Sequence, residues 1–139
     1  HVQGISIQEA VLDMQRAIPK AWPGARHMGE MMDLVDRALA LAEGDMSDSE
    51  AVRKLGEGWV AEETLAIALY CALRHAGDFE GGIVASVNHG GDSDSTGAVA
   101  GNILGAHLGI DAIPDRFQRD LELSELILSL ADRLFEAAS

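Results

Sequence analysis

The chain has 139 residues, enough for one ordinary domain that buries about two thirds of the surface of its unfolded form. Hydrophobic residues make up 47% and aromatics only 4%, so the core must come from Leu, Ile, Val, Ala and Met, a palette that favours helix and argues against a strand-rich architecture. A formal charge of -13, from ten basic and 23 acidic residues, argues against binding nucleic-acid phosphates or an anionic membrane and suits a small dication or a cationic partner.

Ile7, Val11, Met14 and Ile18, with Ala10 and Ala17 beside them, recur at three and four residues and predict a one-faced helix. Pro19 and the Pro23-Gly24 pair are expected to end it. A second helix is predicted from about Arg26 to Glu43, stopping at Gly44 and burying Met28, Met31, Met32, Val35 and Leu39. Those methionines read as core filler rather than ligands. Ser47 and Glu50 have the capping-box spacing, so a short helix should follow to Leu55.

Gly56 and Gly58 break the chain around Glu57, and a helix resumes from Ala61 to His75 with Leu65, Leu69, Ala72 and Leu73 inward. Cys71 is the single cysteine, so no internal disulfide forms, and it reads as a small buried hydrophobe. Beyond Gly77-Asp78, the spacing of Phe79, Ile83 and Val87 predicts a helix, although the run Ile83 to Val87 also suits a short strand.

Glycines at 97, 101, 105 and 109 fall on one face of the next helix, each at a cost of roughly 1 kcal/mol relative to alanine. Close crossing by a neighbouring helix is the reading that offsets this cost, and room for a ligand near the N-terminal end is compatible with it. Pro114 begins a short helix, and Leu121 to Ala138 closes the chain with Leu126, Leu130 and Leu134 on one stripe. No repeat or linker interrupts the chain, no run reaches ~18 apolar residues and no leader pattern opens it. The expectation is a single all-α domain over residues 1–139, soluble and cytoplasmic.

The run Asn88-His89-Gly90-Gly91-Asp92-Ser93-Asp94-Ser95-Thr96-Gly97 carries the most chemistry. It places two carboxylates at i and i+2 among three hydroxyls just ahead of a helix, which is how oxygen ligands are presented to a hard divalent cation. By composition alone such a string caps helices more often than it binds metals. An EF-hand is rejected, because the position that must carry a bidentate Glu is Ile103. What remains is a cluster of hard oxygens from Asp92 and Asp94, with the hydroxyl of Ser95 or Thr96 as a further ligand. Such a cluster cannot by itself complete six-coordination around magnesium.

The spelling GGDSDSTGAVAGNILGAHLG, from Gly90 to Gly109, resembles the C-terminal signature of the ADP-ribosylglycohydrolase family, whose members read GGDTDT before a Gly/Ala-rich helix. The likeness extends back through Gly56-Glu57-Gly58-Trp59-Val60 and forward to Ile113-Pro114. It implies a compact multi-helix orthogonal bundle, the C-terminal portion of an ADP-ribosylglycohydrolase-like fold. It also implies a metal site at Asp92, Asp94 and Ser95, with Ser95 in place of the usual Thr.

In the family, two Mg²⁺ or Mn²⁺ ions are held between this turn and an N-terminal Thr-Asp-Asp triplet, which has no match in this sequence. The sequence therefore reads as the C-terminal half of a hydrolase. Around the ligands, Asn88, His89, Gly90 and Gly91 are placed to line a ribose, although His89 reads equally as a surface histidine. Trp59 reads first as a core residue and alternatively as the cover of a ligand ring. Glu62 and Glu63 read as helix-dipole acids. His27, His75 and His107 show no ligand spacing with one another.

Two readings of function follow. The resemblance implies metal-dependent hydrolysis of an ADP-ribosyl glycosidic bond, with an ADP-ribose-type ligand, once the N-terminal half is supplied. The alternative is a catalytically silent helical domain that binds a partner or itself. In either case the glycine-stepped face or the Met28/Met31/Met32 stripe would lack its covering and favour a homodimer.

Overall fold

A computed structural model describes residues 4–138. Helices α1 (Ile7–Ala21), α2 (Met28–Glu43), α3 (Asp48–Leu55), α4 (Ala61–Arg74), α5 (Phe79–Val87) and α6 (Ser93–Leu108) build the body. A 3₁₀ turn at Ile110–Ala112, α7 (Asp115–Gln118) and α8 (Ser124–Ala138) follow. Among the described residues there is no strand, and the expected compact all-α bundle is what forms.

The bundle is organised around α4, whose residues from Ala66 to Ala72 are all buried. Ala66, Ile67, Tyr70 and Cys71 pack with Ala38 of α2, Ala51, Val52 and Leu55 of α3, and Ala85 of α5. Leu69 and Ala72 pack with Ile7 and Val11 of α1, Val35 of α2 and Leu104 of α6. A helix apolar on every side belongs at the centre of a bundle, because no face of it can be left to water. Cys71 is buried as expected, and burial pushes its thiol up to about 12, so it stays protonated and inert at neutral pH.

The segment Ile83–Val87 is helical, which resolves the strand alternative. Its packing also accounts for the glycine-stepped face of α6. A Cβ at Gly97 would lie 2.6 Å from Val87 Cγ1, and one at Gly101 would lie 3.5 Å from Ile83 Cδ1. Gly82 returns the favour, since a Cβ there would overlap Leu104 Cδ1. The two helices meet through small residues, so α5 covers the N-terminal half of that face, at Gly97 and Gly101, while Gly105 faces Ile113 and Gly109 has open space beside it.

Three local expectations are corrected. Pro19 lies inside α1, which runs on to Ala21. Near a C-terminus a proline removes one ladder hydrogen bond without stopping the turn. The capping box forms at Ser6 and Glu9 instead of at Ser47 and Glu50. Ser6 Oγ accepts from the Glu9 amide at 3.1 Å and Glu9 accepts from the Ser6 amide at 2.8 Å. Ser47 gives its hydroxyl to the Glu50 carboxylate and caps no amide. Finally, Met28, Met31, Met32 and Leu39 are only half-buried, and the inward residues of α2 are Val35 and Ala38.

Asp48, the first residue of α3, joins that helix to α4. Its carboxylate accepts from Tyr70 Oη at 2.7 Å and lies 2.9 Å from His75 Nε2. The short α7 is held to α5 by an edge-on Phe79–Phe117 pair with ring centroids 5.7 Å apart, and Arg116 pairs with Glu80. Helix α8 is different. Leu126, Ile127, Leu128, Leu130, Leu134 and Phe135 are all exposed, Leu134 to 71%. No helix among the described residues is long and apolar enough to cross a membrane.

Candidate functional site

The turn at 88–92 and the loop Gly56–Val60 are built as one unit. The Asp92 amide donates to the Glu57 carbonyl at 2.8 Å, across a sequence separation that no local rule predicts. Gly91 is required for that approach, because a Cβ there would overlap the Glu57 carbonyl. Gly58 has φ +81, and a Cβ on it would lie 2.9 Å from Thr96 Cγ2, so space and backbone conformation both demand glycine.

The partner loop is braced by the start of α4. Glu63 accepts from the amides of Glu57 and Gly58, each at 3.0 Å, and Thr64 Oγ1 donates to the Gly58 carbonyl at 2.7 Å. Glu63, expected only to complement the helix dipole, is thus the clamp that shapes the loop. Its Glu-x₅ reach back to residue 57 has no sequence signature.

Thr96 is fully buried beneath the turn, and its hydroxyl lies 2.7 Å from the Ser86 carbonyl and 2.9 Å from His89 Nε2. A hydroxyl has one proton, which goes to the Ser86 carbonyl, so His89 Nε2 carries a hydrogen and donates to Thr96. The other ring nitrogen, Nδ1, accepts from the Gly91 amide at 3.2 Å. Both nitrogens of His89 are therefore occupied within the turn. Of the two hydroxyls considered as ligands, Thr96 faces inward, whereas Ser95 remains on the outer side with the carboxylates, half-buried on the rim of a cavity.

Asp92 occupies the N-cap of α6 but makes no capping hydrogen bond through its side chain. The neighbouring Asp94 carboxyl lowers its pKa most, followed by the Ser95 hydroxyl, and these outweigh a small opposing desolvation. Asp92 is thus biased toward its carboxylate form and stands close to Asp94. Among the described residues neither pairs with a lysine or arginine. Two neighbouring carboxyl groups beside a hydroxyl, with no lysine or arginine paired to them among the described residues, are a donor set that fits a hard divalent cation.

Asp92 and Ser95 open onto a cavity of about 450 Å³, lined also by Gly58, Trp59, Val60, Thr64 and Val99. Trp59 is 66% exposed, which overturns its expected core placement. Its indole Nε1 donates to Glu57 Oε2 at 3.1 Å, fixing the ring beside the cavity. Asn88 is exposed at the end of α5 and donates to the Val84 carbonyl at 2.8 Å, and Gly90 has open space around its Cα. The structure thus brings Trp59, Asp92 and Ser95 to one cavity, with Gly91 and His89 as the frame behind it.

A profile of the ADP-ribosylglycohydrolase family matches residues 2–139. The chain is 28% identical over 124 residues to the ADP-ribosylhydrolase ARH3 of Homo sapiens, covering 82% of this chain and 32% of that protein. It is 32% identical over 108 residues to the ADP-ribosylarginine hydrolase Tri1 of Serratia proteamaculans, covering 78% of this chain and 29% of that one. An uncharacterized protein of Archaeoglobus fulgidus is 40% identical over 86 residues, covering 62% of this chain and 27% of its own. No solved structure matches at a comparable level. The chain spans about a third of the length of these relatives. With the match running along almost the whole sequence and the glycine-framed aspartate turn in place, the chain belongs to the ADP-ribosylglycohydrolase family.

Proposed function

We propose that residues 1–139 form one helical domain acting as the C-terminal part of a metal-dependent ADP-ribosyl glycoside hydrolase. The observation that carries this reading is the cluster of Asp92, Asp94 and Ser95 at the start of α6, with Asp92 and Ser95 opening onto a cavity and neither aspartate paired with a lysine or arginine among the described residues. Asp92, Asp94 and Ser95 would hold Mg²⁺ or Mn²⁺, with a second cluster of oxygen ligands from an N-terminal Thr-Asp-Asp segment closing a two-ion site. When bound, the cation supplies Lewis-acid polarisation and orients ribose hydroxyls and water.

The chain's own residues bind and position. The Trp59 ring, tethered by Glu57, presents an apolar face where a ligand ring can stack. Asn88 and Gly90 would line the approach to the aspartates, with open space at Gly90 for a ribose, while Gly91 packs on Glu57 and holds the turn in place. His89 acts through its bonds to Thr96 and the Gly91 amide, which hold the turn in shape.

The test combines the chain with the segment bearing the Thr-Asp-Asp triplet and measures release of ADP-ribose in Mg²⁺ or Mn²⁺. Turnover that disappears with Asp94→Ala and with chelator supports the proposal. Saturable metal binding without turnover under these conditions would leave the silent-domain reading. That second reading has one observation in its favour, the uncovered leucine face of α8.

A further inference from the structure

Away from the aspartate turn, His27, Glu30 and Glu62 bring one imidazole nitrogen and two carboxylate oxygens together, all within 4.8 Å of one another. His27 is the N-cap of α2, Glu30 lies in the first turn of α2, and Glu62 comes from the first turn of α4. We propose that these three side chains form a second metal site, selective for a borderline transition-metal dication such as Zn²⁺ or Co²⁺ over Mg²⁺.

Geometry supports this first. Metal–donor bonds of about 2.0–2.2 Å place the donors of a tetrahedral site about 3.3–3.6 Å apart. His27 Nδ1 and Glu30 Oε2 now lie 2.7 Å apart, so the pair need open by less than about 1 Å for an ion to enter. His27 has an αL backbone with φ 60, which sets its side chain at the start of α2 instead of continuing the helix.

Charge supports it independently. Glu30 and Glu62 converge from two helices, and among the described residues neither pairs with a lysine or arginine. His27 Nδ1 lies against Glu30 Oε2, with the Glu62 carboxylate beside them, so an ion here would meet an imidazole nitrogen and two acidic oxygens at once. A dication among the three donors would neutralise both carboxylates.

Donor chemistry sets the selectivity. An imidazole with two carboxylates suits zinc and its neighbours, whereas magnesium prefers oxygen donors and retained water. The partial exposure of the group leaves positions for water. A bound ion would join the start of α2 to the start of α4, the helix whose first turn shapes the Gly56–Val60 loop.

The experiment titrates Co²⁺ into the full chain carrying Asp92→Asn and Asp94→Asn, following visible absorption and equilibrium dialysis. One equivalent is expected to bind, with Zn²⁺ displacing it and excess Mg²⁺ not. His27→Ala and Glu62→Gln should each weaken binding at least about tenfold, since even residues behind metal ligands cost that much. In the unsubstituted protein, Zn²⁺ should shift the His27 ring-nitrogen resonance, a readout independent of how any variant folds. No Co²⁺ binding at millimolar concentration, affinity unchanged from the parent in either variant, or an unmoved His27 resonance at saturation would overturn the site.

Discussion

Gly91 and Glu57 touch backbone to backbone: the residue before the first site aspartate packs on the carbonyl that receives the Asp92 amide at 2.8 Å. This contact converts two glycine-broken loops into one rigid edge. Any side chain at 91 must push Glu57 away and carry Asp92 with it. Gly91→Ala should therefore lower stability by about 1–3 kcal/mol, as overpacking does, and weaken divalent-cation binding. Urea denaturation and a Mn²⁺ titration on the same variant check both effects.

Thr96 makes a second prediction. Its hydroxyl gives a proton to the Ser86 carbonyl and receives one from His89, in a fully buried position. Thr96→Val keeps the shape and strands both partners, a loss of about 1–3 kcal/mol. Thr96→Ser retains the hydroxyl and should recover most of the polar part. Equal stabilities for the two variants in chemical denaturation would contradict the assigned hydrogen bonds.

Acid should loosen the α3–α4 contact. Burial alone would raise the Asp48 pKa, but hydrogen bonds from Tyr70 and His75 together outweigh it and leave the carboxyl below its ordinary value. A carboxyl lowered by folding contributes stability above its unfolded pKa of about 3.9, and that contribution is lost as pH falls through the folded value. Asp48→Asn should therefore flatten the dependence of Tm on pH below about pH 5, with little change in slope near neutrality. Thermal melts from pH 3 to 7 provide the comparison.

The apolar stripe of α8 is expected to drive self-association. Leu126, Leu130 and Leu134 are exposed together on one helix, and a patch of this type seeks a partner. Sedimentation of the chain alone should show concentration-dependent dimers, reduced by Leu130→Glu combined with Leu134→Glu. A monomer at high concentration would mean that the stripe is not a self-contact.

Much of the bundle was legible locally. The four-residue spacing of Phe79, Ile83 and Val87 spans α5, with a short strand left as the alternative, and Gly44 and Gly56 stand where α2 and α3 end. Those signals act within one or two turns, which is the range that periodicity and glycine conformational freedom cover. Pro19 was misread because its effect depends on how many turns follow it. Trp59 was misread because aromatic size alone favours a core, whereas a bond to Glu57 holds it at the surface.

By itself the sequence determined that the chain is helical, that its aspartates stand at the start of α6, and which family spelling surrounds them. Only the tertiary structure decided which hydroxyl faces the carboxylates, that His89 serves the turn with both nitrogens, and that His27 meets Glu62. The reason is physical. Helix formation and capping are settled by neighbours a few residues apart, but the orientation of Thr96, the Gly91–Glu57 contact and the His27 cluster depend on how α2, α4, α5 and α6 pack, and packing joins residues that no local spacing relates.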